Sequence, residues 1–165
     1  GDCCYISMAN IKNWCFDEES AKSVSPHYSQ KNINKSVKKH DIILARSGEG
    51  TIGKVALLNK NFDAIFCDFT MRIRLQNYNP LFAYYYFRTD FFQYLVEINK
   101  KGLGNNTNIF PSQIQEFPLL DTPLPRQQKI VDEIKTALDK QEHIRKKIET
   151  ERAKIDDIIE KAITQ

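Results

Sequence analysis

The most suggestive chemical motif in the sequence is a glycine-bearing segment, residues 48–55, which follows a short apolar run. It reads Gly-Glu-Gly-Thr-Ile-Gly-Lys-Val, and its lysine has the spacing of a phosphate-binding loop. Val55 stands where such a loop needs a hydroxyl to hold magnesium. The residues after Lys54 predict a strand, whereas a phosphate loop opens a helix whose N-terminus faces the anion. The sequence therefore argues against nucleotide hydrolysis.

The other reactive residues form no recognisable catalytic set. His27, His40 and His143 are scattered along the chain, and we expect each of them on the surface. The cysteines have neither CxxC spacing nor a paired histidine cluster, which predicts reduced, buried thiols rather than a zinc site. They are Cys3, Cys4, Cys15 and Cys67. We therefore expect no metal site and no catalytic residue in this chain.

Basic and amide side chains offer a different chemistry, the recognition of DNA. Residues 31–60 contain seven lysines or arginines against two acidic residues, within a chain of net charge +3. Arginine forks bind guanine edges or phosphates, asparagine pairs with adenine, and lysine positions the backbone. The candidate DNA-binding residues are Lys38, Lys39, Arg46, Lys54, Arg72, Arg74, Lys100, Lys101, Asn105, Asn106 and Asn108. A solvated basic face and a plain asparagine-rich turn remain alternatives.

Short apolar runs predict the strands that would position these residues. Residues 41–46 and 52–58 flank a glycine-bearing turn and predict a β-hairpin or a related sheet connection. Residues 65–69 and 71–75 predict two further strands, and alternation in the second places Arg72 and Arg74 on one face. The polar segment from Asn10 to Ser36 predicts mostly loop with short strands.

An aromatic-rich segment, residues 81–101, follows Pro80 and predicts a single helix. An aromatic stripe at helical spacing is typical of a core, so we interpret it as packing rather than as a surface for stacking bases. Its expected inward face is Phe82, Tyr85, Tyr86, Phe92, Leu95 and Val96. The polar, glycine-bearing stretch 100–108 then predicts a mobile loop.

The last quarter of the chain predicts a long coiled-coil helix. Three prolines in residues 118–125 exclude a regular helix there, and the 38 residues from Arg126 to Ile163, which contain neither Gly nor Pro, would form about 57 Å of helix. Apolar residues recur at alternating intervals of four and three, the pattern of a seam that faces a second helix. The predicted seam comprises Ile130, Ile134, Ala137, Gln141, Ile144, Ile148, Ile155 and Ile158, with Gln141 a polar interruption. The alternative is an amphipathic helix folded back on its own domain.

Composition is ordinary for a globular protein, with 41% hydrophobic and 27% charged residues. No apolar run has membrane-spanning length and no signal peptide is evident, so we expect a cytoplasmic location. The abrupt start suggests a truncated parent. Together these features predict an α+β fold, with a mixed β-sheet region and helices in residues 1–125 and a coiled-coil helix in residues 126–165.

Three blocks of residues, in order along the chain, resemble one known family. They are residues 41–56, residues 108–114 and residues 123–130. In these blocks the sequence resembles the DNA-specificity subunit of Type I restriction-modification systems. The resemblance implies a DNA target-recognition domain in residues 1–125 and a spacer helix in residues 126–165.

The resemblance also implies partners. A full specificity subunit carries two such units, whose spacer helices pair antiparallel and set the gap between the halves of a split DNA site. Methyltransferase (modification) subunits dock along this scaffold, and a motor-nuclease (restriction) subunit joins them. The methyl donor and ATP belong to those partners, so the resemblance implies a non-catalytic chain with no cofactor of its own.

This sequence contains one recognition unit and one helix, and it has fewer residues before the first strand than the family's domain normally has. The presence of one recognition unit and one helix suggests a half-length subunit, which would form a homodimer or pair with a second recognition unit through its seam. Two alternatives stay open. The chain could be the recognition segment of a fused restriction-methyltransferase polypeptide, or an oligomerisation module that binds only protein.

Overall fold

A computed structural model of the chain describes residues 3–163, with the backbone alone at Asn105. Gly1, Asp2, Thr164 and Gln165, at the ends of the predicted domain and helix, lie outside the described residues. The chain divides into two compact units, residues 1–124 and residues 125–165. No helix in the described part is long and apolar enough to cross a membrane.

The first unit contains eight strands in its described residues, arranged in three small sheets. The strands are β1 (Cys3–Ile6), β2 (Ile11–Lys12), β3 (Cys15–Phe16), β4 (Lys22–Val24), β5 (Ile42–Ala45), β6 (Val55–Leu57), β7 (Ala64–Phe66) and β8 (Thr70–Ile73). One sheet has the order β4-β1-β7, another pairs β2 with β3, and the third has the order β6-β5-β8. β1 runs antiparallel to β4 and parallel to β7, so the first sheet is mixed, as predicted.

Five α-helices complete the described chain. They are α1 (Pro26–Lys31), α2 (Pro80–Phe87), α3 (Asp90–Asn99), α4 (Pro111–Gln115) and α5 (Leu124–Ile163). The mixed sheet, the helices and the long C-terminal helix confirm the α+β prediction. α1 was not expected in the polar segment 10–36; Ser25 caps it by accepting from the Tyr28 amide, and Pro26 occupies its first turn.

The core of the first unit forms around β5, whose four residues are all buried. Side chains alternate across a strand, so Ile42 and Leu44 face the cluster that contains α2 and α3. Ile43 and Ala45 face the opposite cluster, which contains Ile6 of β1. Burial on both faces explains why β5 is a continuous apolar run rather than an alternating one.

The predicted hairpin is confirmed, with β5 antiparallel to β6 and Leu44 opposite Val55. The connection spans residues 46–54, which makes it longer than the predicted turn. β8 pairs with the other edge of β5, Ile43 opposite Arg72. Arg72 is therefore held at an edge of the third sheet.

The single helix predicted over residues 81–101 is wrong, because α2 ends at Phe87 and α3 begins at Asp90. Thr89 has an extended backbone, and its hydroxyl accepts from the Phe92 amide, which caps a new helix in place of continuing the old one. Phe82, Tyr86, Phe92 and Val96 are buried as expected. Tyr85 and Leu95, also predicted to face inward, are only half-buried.

The cysteines are free, but not all are buried as predicted. Cys3 and Cys67 are buried, whereas Cys4 is half-buried and Cys15 is exposed on the two-residue strand β3. Burial raises the pKa of the Cys3 and Cys4 thiols. No group of three metal-ligating side chains occurs within residues 3–163 as described. The three histidines are exposed, as expected.

The second unit is the helix α5, described here by itself. Ile130 and Ile134 are half-buried, and Ala137 and Gln141 are exposed. The later seam residues are about half to two-thirds exposed: Ile144 55%, Ile148 49%, Ile155 57% and Ile158 67%. The polar faces form intrahelical ion pairs, among them Arg145 with Glu142 at 2.9 Å. The helix thus leaves an apolar stripe uncovered along its later turns.

Candidate nucleic-acid interface

Two loops of the first unit lie side by side and contain seven of the eleven candidate DNA-binding residues. The first loop, residues 46–54, connects β5 to β6, and the second loop, residues 100–109, follows α3. The amide of Gly48 donates to the Thr107 carbonyl at 3.2 Å, and the amide of Ile109 donates to the Arg46 carbonyl at 2.9 Å. We call these paired loops the two-loop surface.

The second loop closes on itself at its base. Lys101 and Asn108 exchange backbone hydrogen bonds of 2.8 and 2.7 Å. Thr107 is only 3% exposed, and its hydroxyl donates to the Gly104 carbonyl at 2.5 Å. These bonds close the base of the loop, and the mobility expected from its sequence stays a prediction.

Glycine is required at the turn of the second loop. Gly102 has a φ of +97°, and a Cβ there would lie 2.4 Å from the carbonyl oxygen of Asn106. Both the left-handed backbone and the close approach exclude a side chain. The conformation of this turn therefore depends on Gly102.

A side chain of α3, Gln93, holds the end of the first loop. The Gln93 side-chain amide donates to the Gly53 carbonyl at 2.9 Å and to the Phe87 carbonyl at 2.7 Å. The Gly53 amide donates to the Ala45 carbonyl at 2.8 Å. Gln93 thus joins the first loop to the break between α2 and α3.

The charge of the two-loop surface is mainly positive. Its sequence contains Arg46, Lys54, Lys100 and Lys101 against one acidic residue, Glu49. Lys100 pairs with Glu97 of α3 at 2.5 Å. Lys101 is exposed, and no ion pair engages its ammonium group among the described residues. Lys101 is thus the most available cation of the pair of loops.

The predicted asparagines differ in how far they are engaged. The Asn108 amide donates to the Asn106 carbonyl at 2.8 Å and helps to fold the loop. Asn106 is exposed, and its side-chain amide makes no hydrogen bond within the described structure. Asn105 lies in the same short turn, and its side chain is outside the described residues. Asn106 is therefore the described amide that could pair with a base.

Three predicted arginines line a separate cleft of about 750 Å³ beside β8. Arg46, Arg72 and Arg74 share this cleft with aromatic residues, including Phe87, Phe92 and Phe117. Arg46 also belongs to the first loop; its Nε donates to the Asp68 carbonyl at 2.7 Å, and its guanidinium lies 5.6 Å from the Phe110 ring centre. Arg46 therefore lies where the cleft meets the two-loop surface.

Arg72 and Arg74 are engaged inside the domain. Arg74 binds both carboxylate oxygens of Asp41, at 2.5 and 2.7 Å, and this bond raises the arginine's pKa. Arg72 donates to the Ser36 carbonyl and lies 5.5 Å from the Phe66 ring centre; desolvation, then the nearby charge of Arg74, lowers its pKa. A direct role for either on DNA stays a prediction.

Lys38 and Lys39 lie apart from the two-loop surface. They line a small recess of about 150 Å³ with Arg74. Their backbone amides donate to Asp41 and Asn61, both at 2.8 Å, whereas their side chains are exposed. The structure thus places the predicted residues in two regions, the paired loops and the surroundings of Arg74.

Sequence reasoning overlooked two residues of the two-loop surface. Leu103 is 89% exposed at the turn of the second loop. The carboxylate of Glu49 reaches across from the first loop, 3.9 Å from where a Cβ on Gly104 would lie. The signal for Leu103 was present, since one apolar residue stands between two glycines in a polar stretch.

Comparison with known proteins defines the class of this fold. The structure is similar to a chain from a study of complex assembly and conformational transition of the type I R-M system, with a TM-score of 0.62 and 17% identity. It is also similar to the HsdS subunit from Thermoanaerobacter tengcongensis, with a TM-score of 0.65 and 16% identity. Each alignment covers 88% of this chain but only 38% of the other. The fold is that of Type I specificity subunits.

The sequence identifies the family directly. Residues 1–152 match the model of the Type I restriction modification DNA specificity domain, and the chain belongs to this family. This confirms the resemblance found in the sequence. A search of curated proteins gave no match. The chain spans about two-fifths of the length of the two solved chains it resembles.

Proposed function

We propose that this chain is the sequence-reading half of a Type I restriction-modification specificity subunit and that the two-loop surface reads the DNA. The observation that supports this most is the pairing of two glycine-bearing loops, fixed at their bases, in a member of a DNA-specificity family. Loops on a rigid scaffold are where recognition residues concentrate. The four basic side chains of the surface supply attraction to phosphates.

The roles of the individual side chains follow from their availability. Lys101 and Lys54 bind phosphates and position the loops, because lysine acts there as a point charge. Asn106 pairs with an adenine edge, and Glu49 accepts from the exocyclic amine of cytosine. Arg46 extends a fork from the edge of the cleft towards a phosphate or guanine. The second region, around Arg74, contains Arg72, Arg74, Lys38 and Lys39. These side chains contact no bases and reach only phosphates of the flanking DNA.

The partners of the chain follow from the same proposal. The exposed stripe of α5 pairs with the helix of a second recognition unit, either another copy of this chain or a companion half-subunit. The resulting scaffold directs methyltransferase subunits and a motor-nuclease subunit to the site in the cytoplasm, and these partners supply the catalysis. The first of the similar structures comes from work on assembly of such a system.

The test is selective DNA binding by the full chain. Duplexes enriched from a randomised library should bind at least about a thousandfold more tightly than unrelated duplexes of equal length. That ratio is the lower limit of the range for sequence-specific DNA-binding proteins. Affinity should fall with salt for both, since each releases counterions from phosphates. Failure to enrich any sequence, with the same affinity for every duplex, would contradict the proposal.

A matched pair of variants locates the surface. Lys101→Glu should weaken binding to enriched and unrelated duplexes alike, because it removes a phosphate contact. Lys147→Glu makes the same charge change on α5, outside the recognition unit, and should leave binding to a single half-site unchanged. Equal losses in both variants would show that net charge, rather than the two-loop surface, controls binding.

A further inference from the structure

Leu103 is the most exposed large hydrophobic side chain of the described residues, at 89%. Single exposed leucines are common on protein surfaces, so exposure alone identifies no site. Its position is more informative. Leu103 lies at the turn of the second loop between Gly102 and Gly104, both of which have positive φ angles. The tip of the loop therefore presents one apolar side chain with no side chain on either neighbour.

Hydrogen bonds close the base of the loop beneath Leu103. The Lys101–Asn108 backbone pair closes the base, and the hydroxyl and backbone amide of the buried Thr107 both donate to the Gly104 carbonyl. The Gly48 amide ties Thr107 to the first loop. A side chain presented from a preorganised support loses little conformational entropy when it binds.

The groups around Leu103 match the chemistry of DNA. The ammonium of Lys101 and the side-chain amide of Asn106 are exposed within three residues of it, and no hydrogen bond or ion pair engages either group within the described structure. Glycines on both sides allow the backbone to approach a flat surface closely. Apolar side chains, leucine among them, can enter between base steps and partly unstack them.

We infer that Leu103 is a wedge that inserts between two stacked base pairs of the target duplex. The inference rests on the proposed function, because it requires the two-loop surface to face DNA. Lys101 holds the phosphate beside the opened step, and Asn106 reads a neighbouring base. Pyrimidine–purine steps unstack most easily, so the ligand is duplex DNA with a TA or CA/TG step opposite the loop. Leu103 thereby selects a step without a hydrogen bond to it.

The experiment uses the full chain and a duplex enriched by it from a randomised library. The fluorescent base analogue 2-aminopurine replaces one adenine at a time, because its emission rises when a base loses its stacking partner. The wild-type chain should raise emission at one step only in each half-site. Leu103→Ala should abolish that rise and weaken binding about tenfold, the order expected for one base-stacking contact. Leu103→Met, which keeps an apolar side chain of similar volume, should retain both.

The outcomes separate the wedge from the proposed function. If no duplex is enriched, the proposed function fails, and the wedge fails with it. If the chain binds an enriched duplex tightly but emission is unchanged at every position, or rises equally with Leu103→Ala, the wedge alone is wrong. If Leu103→Ala binds DNA normally but no longer binds a purified methyltransferase subunit, Leu103 contacts protein and the wedge is likewise refuted. An unchanged melting temperature of Leu103→Ala excludes misfolding as the cause of any loss.

Discussion

Asp41 and Arg74 form an ion pair in which only the carboxylate is buried. The Asp41 side chain is 1% exposed and that of Arg74 is 41% exposed. Asp41 also accepts from the Lys38 amide at 2.8 Å. Because Asp41 precedes β5 and Arg74 follows β8, the ion pair ties the start of one strand to the end of the other. The sequence showed Arg74 only as a cation available to DNA, because the carboxylate that binds it lies 33 positions earlier.

Removing this arginine should destabilise the first unit. Arg74→Ala leaves a buried carboxylate without its bidentate partner, and we expect a loss of about 1–2 kcal/mol, reduced by the exposure of the arginine. Urea unfolding followed by circular dichroism measures it. Lys39→Ala removes an exposed cation from the same region and should change stability by less than about 0.5 kcal/mol. Equal stability of Arg74→Ala and wild type would show that the pair is not structural.

At the residue scale, the sequence showed which side chains have the chemistry to bind DNA, but it did not show which of them are already engaged in contacts within the domain. It nominated Lys101 and Asn106, which local spacing placed in a polar loop and which are exposed there. It also nominated Arg72, whose engagement with Ser36 and Phe66 depends on tertiary contacts that no local pattern contains. Leu103 was overlooked because apolar residues are ordinarily assigned to the core, whereas this one is exposed.

At the scale of elements, the second loop depends on one glycine. Gly102→Ala must either strain a left-handed backbone or displace the Asn106 carbonyl, at a cost of about 1–3 kcal/mol within the loop. Amide hydrogen exchange should therefore accelerate at Lys101 and Asn108, and DNA affinity should fall.

Gly50→Ala is the matched control, since Gly50 also has a positive φ, +74°, but a Cβ there would meet nothing within 4 Å. It should strain the first loop without moving the second. If Gly102→Ala and Gly50→Ala affect exchange at Asn108 equally, the close approach to Asn106 does not hold the loop.

The helix α5 should pair through its exposed stripe. Ile144→Asp with Ile148→Asp places two carboxylates on that stripe and should abolish self-association, because buried unpaired charges are strongly unfavourable. Light scattering across a dilution series gives the mass. Lys146→Asp with Ala153→Asp places two carboxylates elsewhere on the exposed helix and should leave the mass of the wild-type assembly unchanged. An unaltered mass in the Ile variant would refute pairing through this stripe.

Elements were predictable where one local pattern dominated. The long helix follows from 38 residues without Gly or Pro, and the β5–β6 hairpin follows from two apolar runs around glycines. The break between α2 and α3 was missed because aromatic residues continue through it and mask the capping threonine at position 89. The helix α1 was missed because its six residues form no apolar face and contain no buried residue.

At the scale of the whole molecule, the chain combines an α+β unit with a long helix that has an exposed apolar stripe. The family match covers residues 1–152 and so includes both units in large part. The proposed pairing of two copies would place two such units in one assembly, and one chain covers 38% of the length of each of the two similar solved chains. A two-fold assembly predicts a split, palindromic target.

The most direct test of sequence reading by the two-loop surface is to compare the DNA motifs enriched by wild type and by Asn106→Ala. The amide should specify one base pair, so the variant should recover the wild-type motif with that one position relaxed, by about 1–3 kcal/mol of lost discrimination. Lys101→Ala should recover the full motif at lower affinity. An Asn106→Ala motif identical to that of wild type at every position would contradict base reading by this amide.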